Sequence, residues 1–240
     1  MRAAKLYRTG RLDEAIEAIG LELREAPGDI RRRTFLFELL CLAGNYDRAE
    51  KQLDILARSG AEAEAGTLLY RGALHAERTR LEQFDTGLPA AETGPAAVSG
   101  SLNGRAFHDL RDADPRVGAR LEVFAGGQYL WIPLQHVASI RMEPPRRVRD
   151  LVWAPATVRV GPGMRGVELG EVLLPALTPY AWAHHDPLVR LGRVTEWDRL
   201  GDGREAPVGQ KLLLVDDEAF PILELRELEV ASAPATASAP

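Results

Sequence analysis

A single cysteine, Cys41, stands in 240 residues, so no internal disulfide framework can hold this chain together. It falls in an apolar stretch that reads as a helix, where a small buried thiol is the ordinary case. No stretch approaches the run of about 20 apolar residues that crosses a membrane. Met1-Arg2-Ala3-Ala4-Lys5 is not followed by an apolar run of signal-peptide length. The chain therefore reads as cytoplasmic, with no membrane partner. Positive charge is not in excess either. The formal net charge of −5 offers no whole-chain attraction to nucleic acid or to an anionic lipid surface. There is no Walker loop, dinucleotide fingerprint, nucleophile elbow, HExxH pattern or cysteine pair. No cofactor and no metal are expected. The 45% hydrophobic and 27% charged fractions are ordinary for a globular protein, so a packed core is feasible.

What is present is an internal repeat. Gly10-Arg11-Leu12-Asp13-Glu14-Ala15 recurs as Gly44-Asn45-Tyr46-Asp47-Arg48-Ala49, and Ile19 matches Leu53 at the same offset of 34 residues. That is the period of a tetratricopeptide-like unit, a helical hairpin that stacks on its neighbours. The glycine lets the chain turn between antiparallel helices. The aspartate sits in the first turn of the next helix, where exposed N–H groups favour negative charge. The alanine is small where helices press together. Two copies in register outweigh the bland reading of a hairpin duplicated by chance. Such repeats hold peptides or helices, so binding is expected rather than catalysis.

The spacing predicts helices over about 1–8, 11–26, 30–43 and 46–58. Leu12, Ala15, Ile16, Ile19 and Leu23 share one face of the second. Pro27 stops that helix, and Asp29 caps the third. The third is apolar nearly all round through Phe35-Leu36-Phe37 and Leu39-Leu40-Cys41-Leu42, so it must be covered on several sides. A fifth helix, about 65–84, lacks the turn signature and caps the stack, with Gly72 permitting close approach. Two repeats are too few to bury a continuous core, so this helix or the following domain must supply the rest.

Residues 87–100 are rich in Gly, Pro and Ala and read as a linker. A short helix is expected over 116–124, ending at Gly126-Gly127. β-like runs follow at 129–133, 137–142, 157–160 and 167–174. The clearest hairpin joins 211–215 to 220–228 through Asp216-Asp217-Glu218. The fold class is α+β: a helical domain over 1–86, a linker over 87–100, a β-rich antiparallel sheet or small barrel over 101–230, and a disordered Ala/Ser/Pro tail over 231–240.

Several constellations invite a chemical reading. His184-His185-Asp186 resembles metal ligands, but adjacent histidines on a strand point to opposite faces. A zinc site needs three or four converging ligands, so a polar loop before Pro187 is the simpler reading. Asp112 and Asp114 with Arg111 and Arg116 could do acid–base work. Helix capping and a local salt bridge explain them as well. Arg31, Arg32 and Arg33, and Arg146, Arg147 and Arg149, lack interleaved aromatics, so nucleic-acid binding is a weak reading. The four tryptophans, Trp131, Trp153, Trp182 and Trp197, all fall in the second domain, where interface and core roles both fit.

At Leu36-Phe37-Glu38-Leu39-Leu40-Cys41 and Gly44-Asn45-Tyr46-Asp47-Arg48-Ala49 the chain resembles the ImpE/TagJ family of type VI secretion accessory proteins. The likeness continues through Asp112-Ala113-Asp114-Pro115-Arg116-Val117-Gly118, Tyr129-Leu130-Trp131-Ile132-Pro133, Glu143-Pro144-Pro145, Arg149-Asp150-Leu151-Val152-Trp153-Ala154-Pro155-Ala156, Arg193-Val194-Thr195-Glu196-Trp197 and Gly209-Gln210-Lys211. Unlike many members, this chain has no further helical pair before the β region. The resemblance implies a non-catalytic adaptor. It would hold a helix of the small contractile-sheath subunit and link the sheath to a ClpV-type AAA+ ATPase. A helical groove suits such a ligand. Repeat geometry places that groove along Arg31, Thr34 and Glu38, continued by Leu68 and His75. The alternative is a small metal-dependent hydrolase using His184 or His185 with Asp186.

Overall fold

The computed structural model describes residues 1–87, 98–161, 164 and 169–231. Five helices come first: α1 (Arg2–Arg8), α2 (Leu12–Glu25), α3 (Ile30–Leu42), α4 (Tyr46–Ala57) and α5 (Ala61–Thr86). Each packs on the next in sequence. Asp29 caps α3 as expected, its carboxylate accepting from the Arg32 N–H at 3.0 Å. Leu36, Phe37, Leu39, Leu40, Cys41 and Leu42 are all buried, so the apolar helix is indeed covered on several sides. α5 begins a turn earlier than its spacing suggested.

The remainder is antiparallel β structure. β1 (Gly100–Leu102), β2 (Arg105–Phe107), β3 (Leu110–Asp112), β4 (Arg120–Ala125), β5 (Gln128–Pro133), β6 (Val137–Met142), β7 (Trp153–Val160) and β8 (Gly170–Pro175) precede a short helix, α6 (Pro187–Arg190). β9 (Thr195–Arg199), β10 (Glu205–Gly209), β11 (Leu212–Val215), β12 (Glu218–Pro221) and β13 (Glu227–Val230) follow it. An eight-stranded sheet runs β2-β1-β13-β6-β7-β8-β4-β5, beside a three-stranded sheet β12-β11-β3 and a hairpin β9-β10.

Two expectations are corrected. Residues 116–124 form no helix, because Arg120–Ala125 is β4. Gly126 and Gly127 both have positive φ, 57° and 79°, and close a two-residue hairpin in which Ala125 pairs with Gln128. Two glycines between apolar runs are a hairpin signal, since the tight turn needs left-handed backbone at both positions. The run 220–228 is not one strand. Pro221 ends β12, a 3-10 turn over Ile222–Glu224 intervenes, and β13 joins the other sheet. The proposed linker falls mostly, and the tail almost wholly, outside the described residues.

Alternation along the strands divides the core in two. Trp153 of β7 and Leu173 of β8 face the helices, in one cluster with Leu39, Leu40 and Leu74. Ala154, Ala156, Val158, Val172 and Leu174 face the other way, toward Leu213 and Ile222. The large sheet is thus the middle layer, and both α5 and the sheet complete the core that two repeats could not bury.

Candidate interaction site

The most heavily charged part of the interior lies where α5 meets the sheet. Arg80 is only 1% exposed. Its Nε donates to Glu122 Oε1 at 2.7 Å and its Nη1 to Glu77 Oε1 at 3.1 Å, while Nη2 reaches Glu122 Oε2 and the Leu177 carbonyl. Trp153 Nε1 donates to the second Glu77 oxygen at 3.0 Å, and the Tyr129 hydroxyl to Glu122 at 2.6 Å. Lys211 pairs with both Glu122 and Asp112. Burial pushes the Glu122 carboxyl up, but Arg80 and Lys211 together overcome it and hold it well below the usual range. At Asp112, burial and the repulsion of Glu122 outweigh Lys211 and the Asp114 N–H, and its carboxyl is raised to about 6.

Buried charges of this kind must be paired, since an isolated one costs several kcal/mol. The cluster can position α5 on β4 and β7. The adjoining cavity, lined by Glu77, Arg80, Tyr180 and Trp182, is about 10 Å³, room for about one water. Sequence reading missed the cluster apart from Asp112. Apart from the i,i+3 pair of Glu77 and Arg80, its members lie far apart in the chain, and such a pair on a helix gives no local sign that it is buried.

A second set of contacts ties the repeat turns to the C-terminal region. A Cβ at Gly44, whose φ is +67°, would stand 2.5 Å from the Trp182 ring. The other repeat glycine, Gly10, faces Leu188 and Pro187. Arg190 makes a two-point bond to Asp13 at 2.9 and 3.0 Å, and Arg193 caps the Tyr7 and Arg8 carbonyls. The two repeat-turn glycines therefore both touch the segment 182–188.

The residues singled out as chemical candidates serve structure. Asp186 caps α6 through the Leu188 N–H at 2.7 Å, and His184 Nδ1 accepts from the Asp186 N–H. The two histidine rings lie 4.3 Å apart. No group of three His, Cys, Asp or Glu among the described residues is placed to hold a metal. Asp114 and Arg116 form the local pair expected, at 2.7 Å, but no helix follows for them to cap. The arginines after Pro145 diverge. Arg146 leans to Glu143, while Arg149 inserts between Glu38 and the face of Tyr70. Trp153 is core, whereas Trp197 is 44% exposed.

The residues of the expected groove are spread over different surroundings. Along α3, Arg31 is exposed, Thr34 half-buried and Glu38 buried. The Thr34 hydroxyl donates to the Ile30 carbonyl, and Glu38 already accepts from Arg149 Nη1 at 3.2 Å. Burial outweighs Arg149 and raises the Glu38 carboxyl to about 7. Leu68 and His75 are exposed on α5. They share a helical stripe with Arg71 and Arg78, which pair with Asp54, Asp47 and Glu50 of α4. The exposed apolar surface of α5 is concentrated near its start, at Leu68 (64%) and Leu69 (54%).

Residues 104–229 match the ImpE protein family, and the chain is 34% identical over 263 aligned positions to the type VI secretion system accessory component TagJ of Pseudomonas aeruginosa. The alignment covers 95% of this chain and 91% of that relative. The chain belongs to the ImpE family. The family match begins just after β1 and ends in β13, so it covers the β region apart from β1, while the likeness to TagJ includes the helices as well. The crystal structure of a Vibrio parahaemolyticus protein superposes with a TM-score of 0.84 at 22% identity, covering 96% of this chain and 98% of that one. At that identity it shows that this ImpE chain shares a fold with it. No helix among the described residues is long and apolar enough to cross a membrane.

Proposed function

We propose that this protein is a cytoplasmic, non-catalytic accessory component of a type VI secretion system. It holds a helix of the small contractile-sheath subunit and links the sheath to its AAA+ ATPase. The observation that carries the reading is the likeness to TagJ across nearly the whole of both chains. The geometry supports it. The charge cluster is buried, and in the His184-His185-Asp186 segment Asp186 caps a short helix while His184 accepts from its N–H. Among the exposed large apolar residues, Leu21, Ile30, Ile55, Leu68 and Leu69 lie on a helical layer of the kind that receives amphipathic helices.

A binding titration tests this. The small sheath subunit from the same genome is expected to bind at micromolar affinity or tighter, and to lose binding when its N-terminal helix is deleted. Absence of binding by either form would detach the protein from the sheath.

A further inference from the structure

We propose that β9 is a strand-addition site, which takes up, antiparallel, an extended segment of a partner protein with lysine or arginine on either side of an apolar residue. The site is separate from the sheath reading and does not depend on it. Three observations converge there. First, β9 has a bare edge. It pairs with β10 alone, in a sheet of two strands. The turn bond from the Leu200 N–H to the Arg204 carbonyl fixes the alternation. Glu196 and Asp198 therefore turn their backbone groups toward β10, and Thr195, Trp197 and Arg199 turn theirs away. Among the described residues, no backbone partner meets those three N–H groups. The outer side of β10 is different. Gly209 exchanges two bonds with Thr178 there, and Pro207 has no N–H to satisfy.

Second, the edge is open and apolar at its centre. Trp197, Asp198 and Arg199 are all exposed. Val194, which leads into the strand, is 40% exposed, and so nearly is Leu188 (41%), whose carbonyl accepts from the Val194 N–H. A two-stranded hairpin is marginal by itself and gains from a third strand. An incoming main chain would satisfy the outward groups of Thr195, Trp197 and Arg199, and its side chains would alternate between the two faces.

Third, the side chains of β9 select the occupant. Glu196 and Asp198 share one face, and Trp197 and Arg199 lie on the other. Glu196 stands 3.6 Å from the His184 ring, and Asp198 has no ion-pair partner among the described residues. Arg199 is directed to Glu205, at 3.9 Å. A second copy of this chain fits poorly. Consider two β9 strands paired antiparallel about a two-fold axis, in any register that joins at least two outward positions. Glu196 then meets Asp198, or Glu196 meets its own copy, or Asp198 does. Like charges directly opposite are destabilising, which protects an open edge from self-association. A strand with basic residues at alternate positions meets both carboxylates, and the apolar residue between them lies beside Trp197.

The test titrates full-length protein with a short capped peptide of alternating lysine and valine, read by fluorescence anisotropy. Two further peptides are N-methylated, one at the valine amides and one at the lysine amides. In antiparallel addition the valines lie opposite Thr195, Trp197 and Arg199, so their amides face β9. Methylation there is expected to weaken binding at least tenfold, and methylation at the lysines less than twofold. Replacing Glu196→Lys together with Asp198→Lys is expected to weaken the parent peptide at least tenfold. Hydrogen exchange should slow at the Trp197 and Arg199 amides, with those of Glu196 and Asp198 unchanged. Absence of binding by the parent peptide, equal or reversed effects of the two methylations, or unchanged exchange at Trp197 and Arg199 would overturn the proposal.

Discussion

Between Ala73 and Arg80, α5 is enclosed on both sides. Ala73, Leu74 and Ala76 are buried, and Glu77 and Arg80 are sealed in ion pairs and hydrogen bonds to the sheet. Between Ala61 and Leu69 the same helix is mostly in solvent, with Thr67 alone buried among the side chains described there. Ala61, Ala63, Glu64, Ala65 and Leu68 are strong helix formers, so local propensity supports the first half. The second half carries charges that would be costly inside a protein unless each met a partner. One half of α5 is thus fixed by the fold, and the other is largely exposed.

The contrast can be broken most severely at Arg80. Arg80→Ala would leave Glu122 and Glu77 buried without their shared cation. A loss of about 3–5 kcal/mol is expected in urea unfolding. A loss below about 1 kcal/mol would mean that the cluster is not closed to water. At Leu74, which is fully buried, truncation to alanine should cost about 2–5 kcal/mol through lost burial and the cavity left behind. Unfolding midpoints of the two variants, read with unchanged denaturant slopes, would place both residues in one cooperative unit.

pH sharpens the contrast at a different contact. The folded pKa of Glu38 is raised from 4.5 to about 7, chiefly by burial, and that of Asp112 from 3.8 to about 6 for the same reason. The folded protein holds these protons more tightly than the unfolded chain. Their contribution is therefore fully present below the unfolded values and is lost as pH rises through 6 to 7. Glu122, with its pKa depressed, acts in the opposite sense and loses its contribution as pH falls below 4.5. Glu38→Gln should reduce the decline in stability between about pH 5 and 7 by about 1–3 kcal/mol. Equal declines in variant and wild type would show that Arg149 keeps Glu38 ionised throughout.

The smallest effect is expected in the exposed half. Leu68→Ser should change stability by no more than about 0.5 kcal/mol, as surface substitutions away from special features do. A loss comparable with that at Leu74 would show that the first half of α5 is packed against something in the free protein.

Much of this was legible locally. The 34-residue offset located α1 to α4, Asp29 marked a cap, and the short apolar runs after Tyr129 gave β5, β6 and β11 and parts of β7 and β8, but not β1 to β4, β9 or β10. Local signals misled at Gly126-Gly127, where the same two glycines could end a helix or close a hairpin and the pairing of β4 with β5 decided. They were silent on Arg80, Glu122 and Lys211, because nothing near each residue reveals a partner brought in by the fold. Glu38 shows the same limit. Helical spacing put it on one face with Arg31, and only the approach of Arg149 shows that its carboxylate is already engaged.

Hydrogen exchange along α5 tests the central claim most directly. In the free protein, amides from Leu74 to Glu82 should exchange only through global unfolding, and those from Glu64 to Leu69 orders of magnitude faster. Equal protection of both halves would contradict the division of α5 into an enclosed half and an exposed half.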